Sequence, residues 1–244
     1  EHTMREHRVE GVVHLAAILQ FGCEQDPLRA VDVNVNGTIA VLETARRTGV
    51  KRIVHASSIA AYGTTEAELH ERSPIQRDVG MYGLTKLLAE ALLSREGRRH
   101  DIVCRTVIFA TVLSDRPVSS PGIAAAVAKI VGSAKGDNVT IGEVAATERR
   151  HYVYFRDAAR ATVAALMTPT TADDVFHIAG DEGSYVTFED LARLIRELRP
   201  SAGAVSFTGR SGHRGRVDIS RARQQLGYRP AHTLRSALQE ILSN

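Results

Sequence analysis

The stretch MYGLTK, residues 81–86, puts Tyr82 and Lys86 four residues apart on a predicted helix. Side chains with this separation lie on one helix face, so the ammonium group can sit close to the phenol. A phenol has an ordinary pKa of about 10 and is a poor acid or base at neutral pH, but a nearby cation favours the phenolate. The pair is therefore a candidate for acid–base chemistry, although the same spacing also occurs by chance in many helices.

Two buried strands are predicted upstream of this helix, and both end in small residues. One covers RIV (52–54) and continues into HASSIAAYG (55–63), and the other lies in GVVHLAA (11–17). Small hydroxyl residues at the C-terminal end of a strand are well placed to bind a ligand in an open α/β sheet. Ser57 and Ser58 are therefore candidate ligand-binding residues. The alternative is a plain strand-to-turn transition, since serine and glycine favour turns.

Four blocks in fixed order carry a resemblance to a known family. They are VVHLAA (12–17), NVNGT (34–38), SSIAAYG (57–63) and YGLTK (82–86), and they resemble the extended short-chain dehydrogenase/reductase family, the NAD-dependent epimerase/dehydratase group. The resemblance implies an α/β fold, a Rossmann-like doubly wound parallel sheet with a smaller C-terminal α/β substrate lobe. Weaker matches continue at RHYVYFRD (150–157), VFHIAG (175–180), DISRAR (218–223) and LGYRP (226–230).

The predicted elements alternate between strand and helix, which independently indicates a mostly parallel sheet covered on both faces. We expect a dinucleotide-binding domain in residues 1–110 plus about 150–180, with its N-terminal strands missing, and a substrate lobe in about 111–149 and 181–244. Strands are predicted at 9–16, 50–57, 102–107, 138–141, 175–179 and 204–207, helices at 28–48, 82–99, 123–132, 156–167, 187–198, 220–226 and 234–242, and a loop at 114–122.

The resemblance implies roles for residues that match the family's motifs. Tyr82 would be the general acid/base, Lys86 would bind the nicotinamide ribose and lower the tyrosine pKa, and Ser58 would bind the reacting substrate oxygen. The cofactor is expected to be NAD or NADP. Its binding residues are predicted to be Leu15, Ala16, Ala17, Leu19, Val33, Ser57, Tyr82, Lys86 and Val107.

The substrate side of the resemblance is less specific. Arg150 matches an arginine that binds a nucleotide diphosphate in relatives, as suits its bidentate fork, with a surface salt bridge as the alternative. Ile59 stands where dehydratases carry a carboxylate, which disfavours 4,6-dehydratase chemistry. Ile108 replaces an amide that contacts sugar or phosphate in nucleotide-sugar enzymes. A nucleotide sugar, a free sugar acid and a less polar secondary alcohol all remain open as substrates.

One departure from the family concerns the cofactor. Relatives open with a strand, a glycine-rich turn and a helix, and that turn holds the dinucleotide pyrophosphate. The sequence contains no such turn and starts at Glu1, just before the family's fourth strand. Three explanations are open: a disordered N-terminal segment preceding this sequence, a truncated product, or a protein that has lost cofactor binding.

Composition agrees with a soluble globular enzyme. The 244 residues have a net charge of +3 and are 43% hydrophobic, with no apolar run long enough for a membrane span. The basic stretch 210–223 lacks aromatic stacking residues, so we expect no nucleic-acid partner. Two cysteines, Cys23 and Cys104, fit a reducing cytoplasm, and the ten histidines show no metal-ligand spacing, so no metal site is expected.

The leading hypothesis is an NAD(P)-dependent oxidoreductase or epimerase that acts on a hydroxyl of a sugar-like substrate in the cytoplasm. The alternatives are a dehydrogenase of a non-nucleotide secondary alcohol and a non-catalytic member that senses a cofactor or serves as a scaffold. We also expect a homodimer through the helices 28–48 and 82–99, since these pair into a four-helix bundle in relatives.

Overall fold

The computed structural model describes residues 1–114, 121–169, 171, 174–210 and 212–243. In this part of the chain the strands are β1 (Gly11–His14), β2 (Arg52–Ser58), β3 (Val103–Phe109), β4 (Thr111–Leu113), β5 (Val139–Ile141), β6 (Arg149–Tyr154), β7 (Val175–Ile178), β8 (Tyr185–Thr187) and β9 (Val205–Phe207). The helices are α1 (His2–Glu6), α2 (Gln20–Gln25), α3 (Pro27–Val31), α4 (Gly37–Thr48), α5 (Met81–Arg99), α6 (Ile123–Gly132), α7 (Phe155–Met167), α8 (Phe188–Leu198), α9 (Ser220–Gln225) and α10 (Leu234–Ser243).

The main sheet has the strand order β1-β2-β3-β7, and all its pairs are parallel. Helices cover both faces, because Ile53 packs with residues of α4 and α5, whereas its neighbour Val54 packs in the core that contains residues of α7 and α9. Parallel sheets need this double coverage, which is why their strands are apolar on both sides. The α/β fold with a Rossmann-like parallel sheet is thereby confirmed.

Two smaller sheets lie outside the main one. Strand β6 pairs in parallel with β4 and antiparallel with β8, while β5 pairs with β9. Side chains alternate along a strand, so β6 contributes Val153 to the main-sheet core and Tyr152 and Tyr154 to a second core with α6, α8 and α10. Strand β6 thus belongs to both cores, and the division into a dinucleotide-binding domain and a substrate lobe stays a prediction.

The predicted helix 28–48 is not one regular helix. It consists of α3, a π-helical segment Asp32–Asn36 and α4, and it ends at Gly49, whose φ of +79° is the left-handed conformation that terminates helices. Thr187 and Asp190 form the capping box at the start of α8 that their spacing indicates.

Other predictions about the elements were incomplete. Helices α1 and α2 and strands β4, β6 and β8 are absent from the predicted set, because they are short and their patterns carry little periodicity. Most of the predicted loop 114–122 lies outside the described residues. No helix in the described ranges is both long and apolar enough to cross a bilayer.

Helix α5 contacts the turn after β2 through a glycine. A Cβ atom on Gly83 would lie 2.5 Å from the carbonyl oxygen of Ala60, which belongs to the 3-10 turn Ile59–Tyr62. Any larger residue at position 83 would therefore push the helix away from the turn. The close approach matters because Tyr82 precedes this glycine and Ser58 precedes the turn.

Gly83→Ala is expected to lower the free energy of unfolding by about 1–3 kcal/mol, the usual cost of overpacking a fitted contact. Gly132→Ala is the matched control, since an added Cβ there meets nothing within 4 Å and alanine favours a helix over glycine. Urea unfolding followed by circular dichroism measures both. Equal stability of the two variants would contradict the close contact at Gly83.

Candidate active site

The C-terminal ends of β2 and β3 open into a cavity of about 600 Å³. Parallel strands place ligand sites at this edge of an α/β sheet. Both members of the Tyr82–Lys86 pair line this cavity, together with Ser57 and Ser58. The predicted site residues that line the cavity are Leu15, Ala17, Leu19, Ser57, Ser58, Tyr82, Lys86 and Arg150.

Three predicted cofactor residues do not line this cavity. Val107 is fully buried in the main-sheet core. Ala16 is exposed, and Val33 is half-buried within the π-helical segment. Strand β3 turns Val107 into the apolar core of the main sheet.

Tyr82 and Ser58 meet at one end of the cavity. Ser58 ends β2, and its Oγ accepts a hydrogen bond from the Ala60 backbone N–H at 3.2 Å. Burial raises the pKa of Tyr82 to about 12, the neighbouring Cys23 adds to the rise, and the nearby Ser58 side chain opposes it. The phenol is therefore protonated at neutral pH.

Lys86 lies one turn further along α5 and is only 2% exposed. Its Nζ donates a hydrogen bond to the Ala56 carbonyl oxygen at 2.8 Å and sits 5.7 Å from the centroid of the Tyr82 ring. Burial lowers the pKa of Lys86 to about 8. The charged form of this lysine is thus held in the interior by backbone and ring contacts.

The expectation that Lys86 lowers the pKa of Tyr82 was wrong for this structure. The pKa of the phenol is raised, and burial is the main cause. The ammonium lies near the face of the ring and points at the Ala56 carbonyl oxygen, so its field does little at the phenolic oxygen. Sequence spacing places the two side chains on one helix face, but it does not fix where the lysine head points.

A buried amide joins helix α5 to the loop after β1. Asn34 Nδ2 donates to Thr85 Oγ1 at 3.0 Å and to the Ile18 carbonyl oxygen at 3.1 Å, while Asn34 Oδ1 accepts from the Ile18 N–H at 2.7 Å. Thr85 Oγ1 in turn donates to the Tyr82 carbonyl oxygen. The role of Asn34 was missed, although a polar residue inside the NVNGT helix segment was a signal for it.

The start of α5 has a second brace that the sequence did not reveal. Glu24 Oε1 accepts a hydrogen bond from the Met81 N–H at 2.7 Å, at the first helical residue. A carboxylate at this position satisfies a free backbone donor and interacts favourably with the helix dipole. Because Glu24 lies 57 residues from Met81 in sequence, no local motif could indicate this contact.

The far end of the cavity is charged. Arg150 forms a buried ion pair with Glu148 and also donates to the Gly212 carbonyl oxygen at 3.0 Å. Glu148 accepts a further hydrogen bond from the Gly212 N–H at 2.8 Å. The predicted phosphate-binding residue therefore carries a carboxylate partner, and two other arginines, Arg210 and Arg214, line the same cavity.

The residues at the near end fit the ribose and nicotinamide of a dinucleotide. Ser57 Oγ is buried at the cavity and has no hydrogen-bond partner in the described structure. Lys86 has one acceptor, so ammonium donors remain available. Hydroxyl groups of a ribose would satisfy both residues. Among the described residues, no group of three or more His, Cys, Asp or Glu side chains is placed to hold a metal ion.

The family model described as "NAD dependent epimerase/dehydratase family" matches residues 1–179. A UDP-glucose 4-epimerase of Streptomyces lividans is 35% identical over 104 residues, which are 42% of this chain and 32% of that protein. An uncharacterised epimerase/dehydratase of Staphylococcus epidermidis is 33% identical over 49% of this chain and 37% of its own length. The chain thus spans only about a third of these two curated relatives.

Solved structures agree on the fold along the whole chain. The L-threonine dehydrogenase of Cupriavidus necator superposes with a TM-score of 0.86 at 26% identity, covering 100% of this chain and 81% of that one. The UDP-glucose 4-epimerase of Thermotoga maritima, solved with UDP-glucose, gives a TM-score of 0.87 at 23% identity, with 99% and 79% covered.

Lys86→Met should change how stability depends on pH. The pKa of Lys86 is lowered from 10.5 to about 8, so between these values the unfolded chain binds more protons and the wild type gains stability as pH rises. The variant lacks this gain, and its melting temperature relative to wild type should fall from pH 7 to pH 10. Melting curves at both pH values test this, with the exposed Lys51→Met as control. A pH-independent difference for Lys86→Met would contradict a buried cation.

Proposed function

This chain belongs to the NAD dependent epimerase/dehydratase family, and from that premise we propose that it is an NAD(P)-dependent oxidoreductase or epimerase acting on a hydroxyl of a sugar-like substrate. The observation that carries the proposal is the convergence of Ser58, Tyr82 and Lys86 on one cavity at the C-terminal edge of the sheet. The proposed site residues are the predicted ones that line this cavity, Leu15, Ala17, Leu19, Ser57, Ser58, Tyr82, Lys86 and Arg150.

In the proposed reaction the substrate hydroxyl lies between Ser58 and Tyr82. Ser58 holds the reacting oxygen, and Tyr82 Oη exchanges the proton with it as the bond to carbon becomes a carbonyl. NAD, when bound, supplies the acceptor for the hydride that leaves the same carbon, together with a positive charge beside the site. In the reverse direction the protonated Tyr82 donates its proton to the carbonyl oxygen, which suits its raised pKa.

The position of Lys86 supports a role in holding the cofactor. Its ammonium is fixed beside the Tyr82 ring by the Ala56 carbonyl oxygen and keeps donors for ribose hydroxyls. Ser57, with its unpartnered Oγ, is proposed to bind the cofactor on the same side. Ile59, next to Ser58, is buried and cannot abstract a proton, which supports a simple oxidation or epimerisation over a 4,6-dehydration.

A second candidate is the oxidation of a non-nucleotide secondary alcohol. Ile108, which replaces an amide on the substrate side of nucleotide-sugar enzymes, is buried in the main-sheet core and does not line the cavity. The fold match at 26% identity is to an enzyme described as an L-threonine dehydrogenase. These observations favour a smaller substrate without a nucleotide, and UDP-glucose and L-threonine are therefore both appropriate test compounds.

Tyr82→Phe should abolish turnover while NADH binding survives, because the substitution removes only the hydroxyl that exchanges the proton. The assay follows nicotinamide absorbance with L-threonine and chromatographic formation of the C4 epimer with UDP-glucose, since epimerisation leaves no net NADH, and NADH binding is followed by its fluorescence. Tyr228→Phe is the matched control, since that hydroxyl donates to the Ala179 carbonyl oxygen away from the cavity. Full activity in the Tyr82 variant would reject the proposed acid–base role.

A homodimer and a cytoplasmic location also belong to this proposal. Apolar side chains lie on the outward faces of α4 and α5, where Ile39, Leu84 and Leu88 are 37%, 48% and 49% exposed. Covering such a stripe with the same helices of a second copy would remove it from water. Cys23 and Cys104 are buried free thiols, which supports a reducing compartment.

Replacing both Leu84 and Leu88 by Glu should convert a dimer to a monomer of 26.5 kDa, since two buried carboxylates per helix would face their symmetry mates. Val163→Glu, at a 56% exposed position on α7, is the control and should leave the mass unchanged. Light scattering after size-exclusion chromatography gives the masses. A monomeric wild-type chain would refute the proposed dimer.

A further inference from the structure

The 3-10 turn Ile59–Tyr62 begins directly after Ser58 and determines where this serine points. The Ala60 N–H donates to Ser58 Oγ at 3.2 Å, and the Gly63 N–H donates to the Ala60 carbonyl oxygen at 3.3 Å. Both distances are at the long end for hydrogen bonds from a backbone N–H, so these contacts hold the turn only weakly. A further contact is needed to keep the turn, and Ser58 with it, in one geometry.

Tyr62, the last residue of the turn, supplies such a contact. Its hydroxyl forms a hydrogen bond of 2.8 Å with Nε2 of His177, and the two rings meet edge to face with their centroids 5.4 Å apart. Tyr62 is 4% exposed and His177 is fully buried. His177 belongs to β7, where it lies in register with Ile108 of β3. The hydrogen bond therefore ties the turn to the main sheet across 115 positions of sequence.

The backbone of His177 is itself anchored. Its N–H donates to Glu71 Oε1 at 3.0 Å, and the other carboxylate oxygen of Glu71 lies 3.6 Å from Arg221 Nε. The Glu71 side chain is only 4% exposed. The imidazole is thus held on a fixed part of the sheet and can serve as a reference point for the turn.

Both partners in the Tyr62–His177 bond are neutral. Burial lowers the pKa of His177 to about 4. Burial also raises the pKa of Tyr62, with smaller contributions from Glu90 and Glu71, while Arg221 opposes the rise. A buried phenol or imidazole that loses its partner carries the full desolvation cost of its polar atom. The bond therefore restricts Tyr62 to one orientation.

Tyr228 has the same surroundings without a link to the turn. It is also 4% exposed in the main-sheet core, and its hydroxyl donates to the Ala179 carbonyl oxygen at 2.8 Å. Loss of either hydroxyl removes one buried hydrogen bond of the same length. Tyr62 lies four residues after Ser58, whereas Tyr228 follows α9. Comparison of the two tyrosines separates an effect on the turn from an effect on stability alone.

We propose that Tyr62 and His177 are positioning residues for the reaction, because their hydrogen bond fixes the turn that points the Ser58 hydroxyl at the reacting oxygen. Neither residue is among the described residues that line the cavity, so their influence on turnover passes through Ser58. The claim about turnover rests on the proposed function. The ordering of the turn does not.

Hydrogen exchange followed by mass spectrometry tests the ordering of the turn without turnover. Peptides that cover residues 57–63 should exchange roughly tenfold faster in Tyr62→Phe than in Tyr228→Phe, since only the first variant removes the hydrogen bond that opposes local opening. The melting temperatures of the two variants should fall by similar amounts. Equal exchange of these peptides in the two variants would overturn the proposal.

Kinetics test the consequence for the reaction, with whichever of L-threonine and UDP-glucose the wild type converts. Tyr62→Phe should lower kcat by roughly tenfold to a hundredfold, the cost of a misplaced contact, and leave KM and NADH affinity within about twofold. Tyr228→Phe should keep the wild-type kcat. In a Ser58→Ala background, Tyr62→Phe should lower kcat little further, because the contact that it positions is already gone. An undiminished loss of kcat in that background would contradict a role exerted through Ser58.

Two substitutions of His177 separate its hydrogen bond from its bulk. His177→Gln places an amide that can donate or accept near the position of Nε2 and should retain most of kcat and the slow exchange of residues 57–63. His177→Leu should behave like Tyr62→Phe, and equal kcat and exchange in the two His177 variants would refute the role of the hydrogen bond. If His177→Leu fails to fold, the comparison of Tyr62→Phe with Tyr228→Phe decides. Absence of turnover by the wild type with both compounds would count against the proposed function, and the exchange comparison would still decide whether Tyr62 and His177 order the turn.

Discussion

The hydrogen bond from Lys86 Nζ to the Ala56 carbonyl oxygen joins helix α5 to the end of strand β2, and the rest of the site depends on it. It holds a cation in the interior without a carboxylate. The contact works only because Gly83 lets the helix approach the turn that follows Ser58. Tyr82 is thereby brought to Ser58 at the carboxyl edge of the sheet. Two further hydrogen bonds fix helix α5. Asn34 donates to Thr85 on the side of the helix, and Glu24 accepts from the Met81 N–H at its N-terminus.

Burial shifts the pKa values of Tyr82 and Lys86 in opposite directions, and in each case it favours the neutral form of the group. The pKa of Tyr82 rises and that of Lys86 falls because the charged form of each loses its hydration. A site built in this way is less stable than an apolar one of the same shape. The unpartnered Ser57 Oγ and the remaining donors of Lys86 are the polar groups that a bound ribose would satisfy.

The opposite wall of the cavity is charged. Arg150 of β6 and Glu148, which precedes β6, form an ion pair there, so their charges cancel, and the Gly212 N–H donates to Glu148. Arg214 is left without a bonded carboxylate. The cavity therefore has Tyr82 and Ser58 on one part of its lining and Arg150, Arg210 and Arg214 on another.

The sequence by itself determined the features that depend on neighbours along the chain. It placed the end of the long helix at Gly49, the capped start of α8 at Thr187, the serine at the end of β2, and Tyr82 with Lys86 on one helix face. Turn chemistry, capping and helical spacing act within a few residues, so local pattern is enough for them. The order of the blocks along the chain was enough to identify the family and with it the parallel sheet.

Only the tertiary structure decided the features that join distant segments. The sequence did not predict the direction of the Lys86 head, the hydrogen bond from Arg150 to Gly212, the contact of Asn34 with Thr85 or the burial of Val107. The residues that meet in these three hydrogen bonds are 30 to 62 positions apart. The physical reason is that burial and the partner of a charge, which set its pKa and its role, are properties of the packed core and not of the local chain.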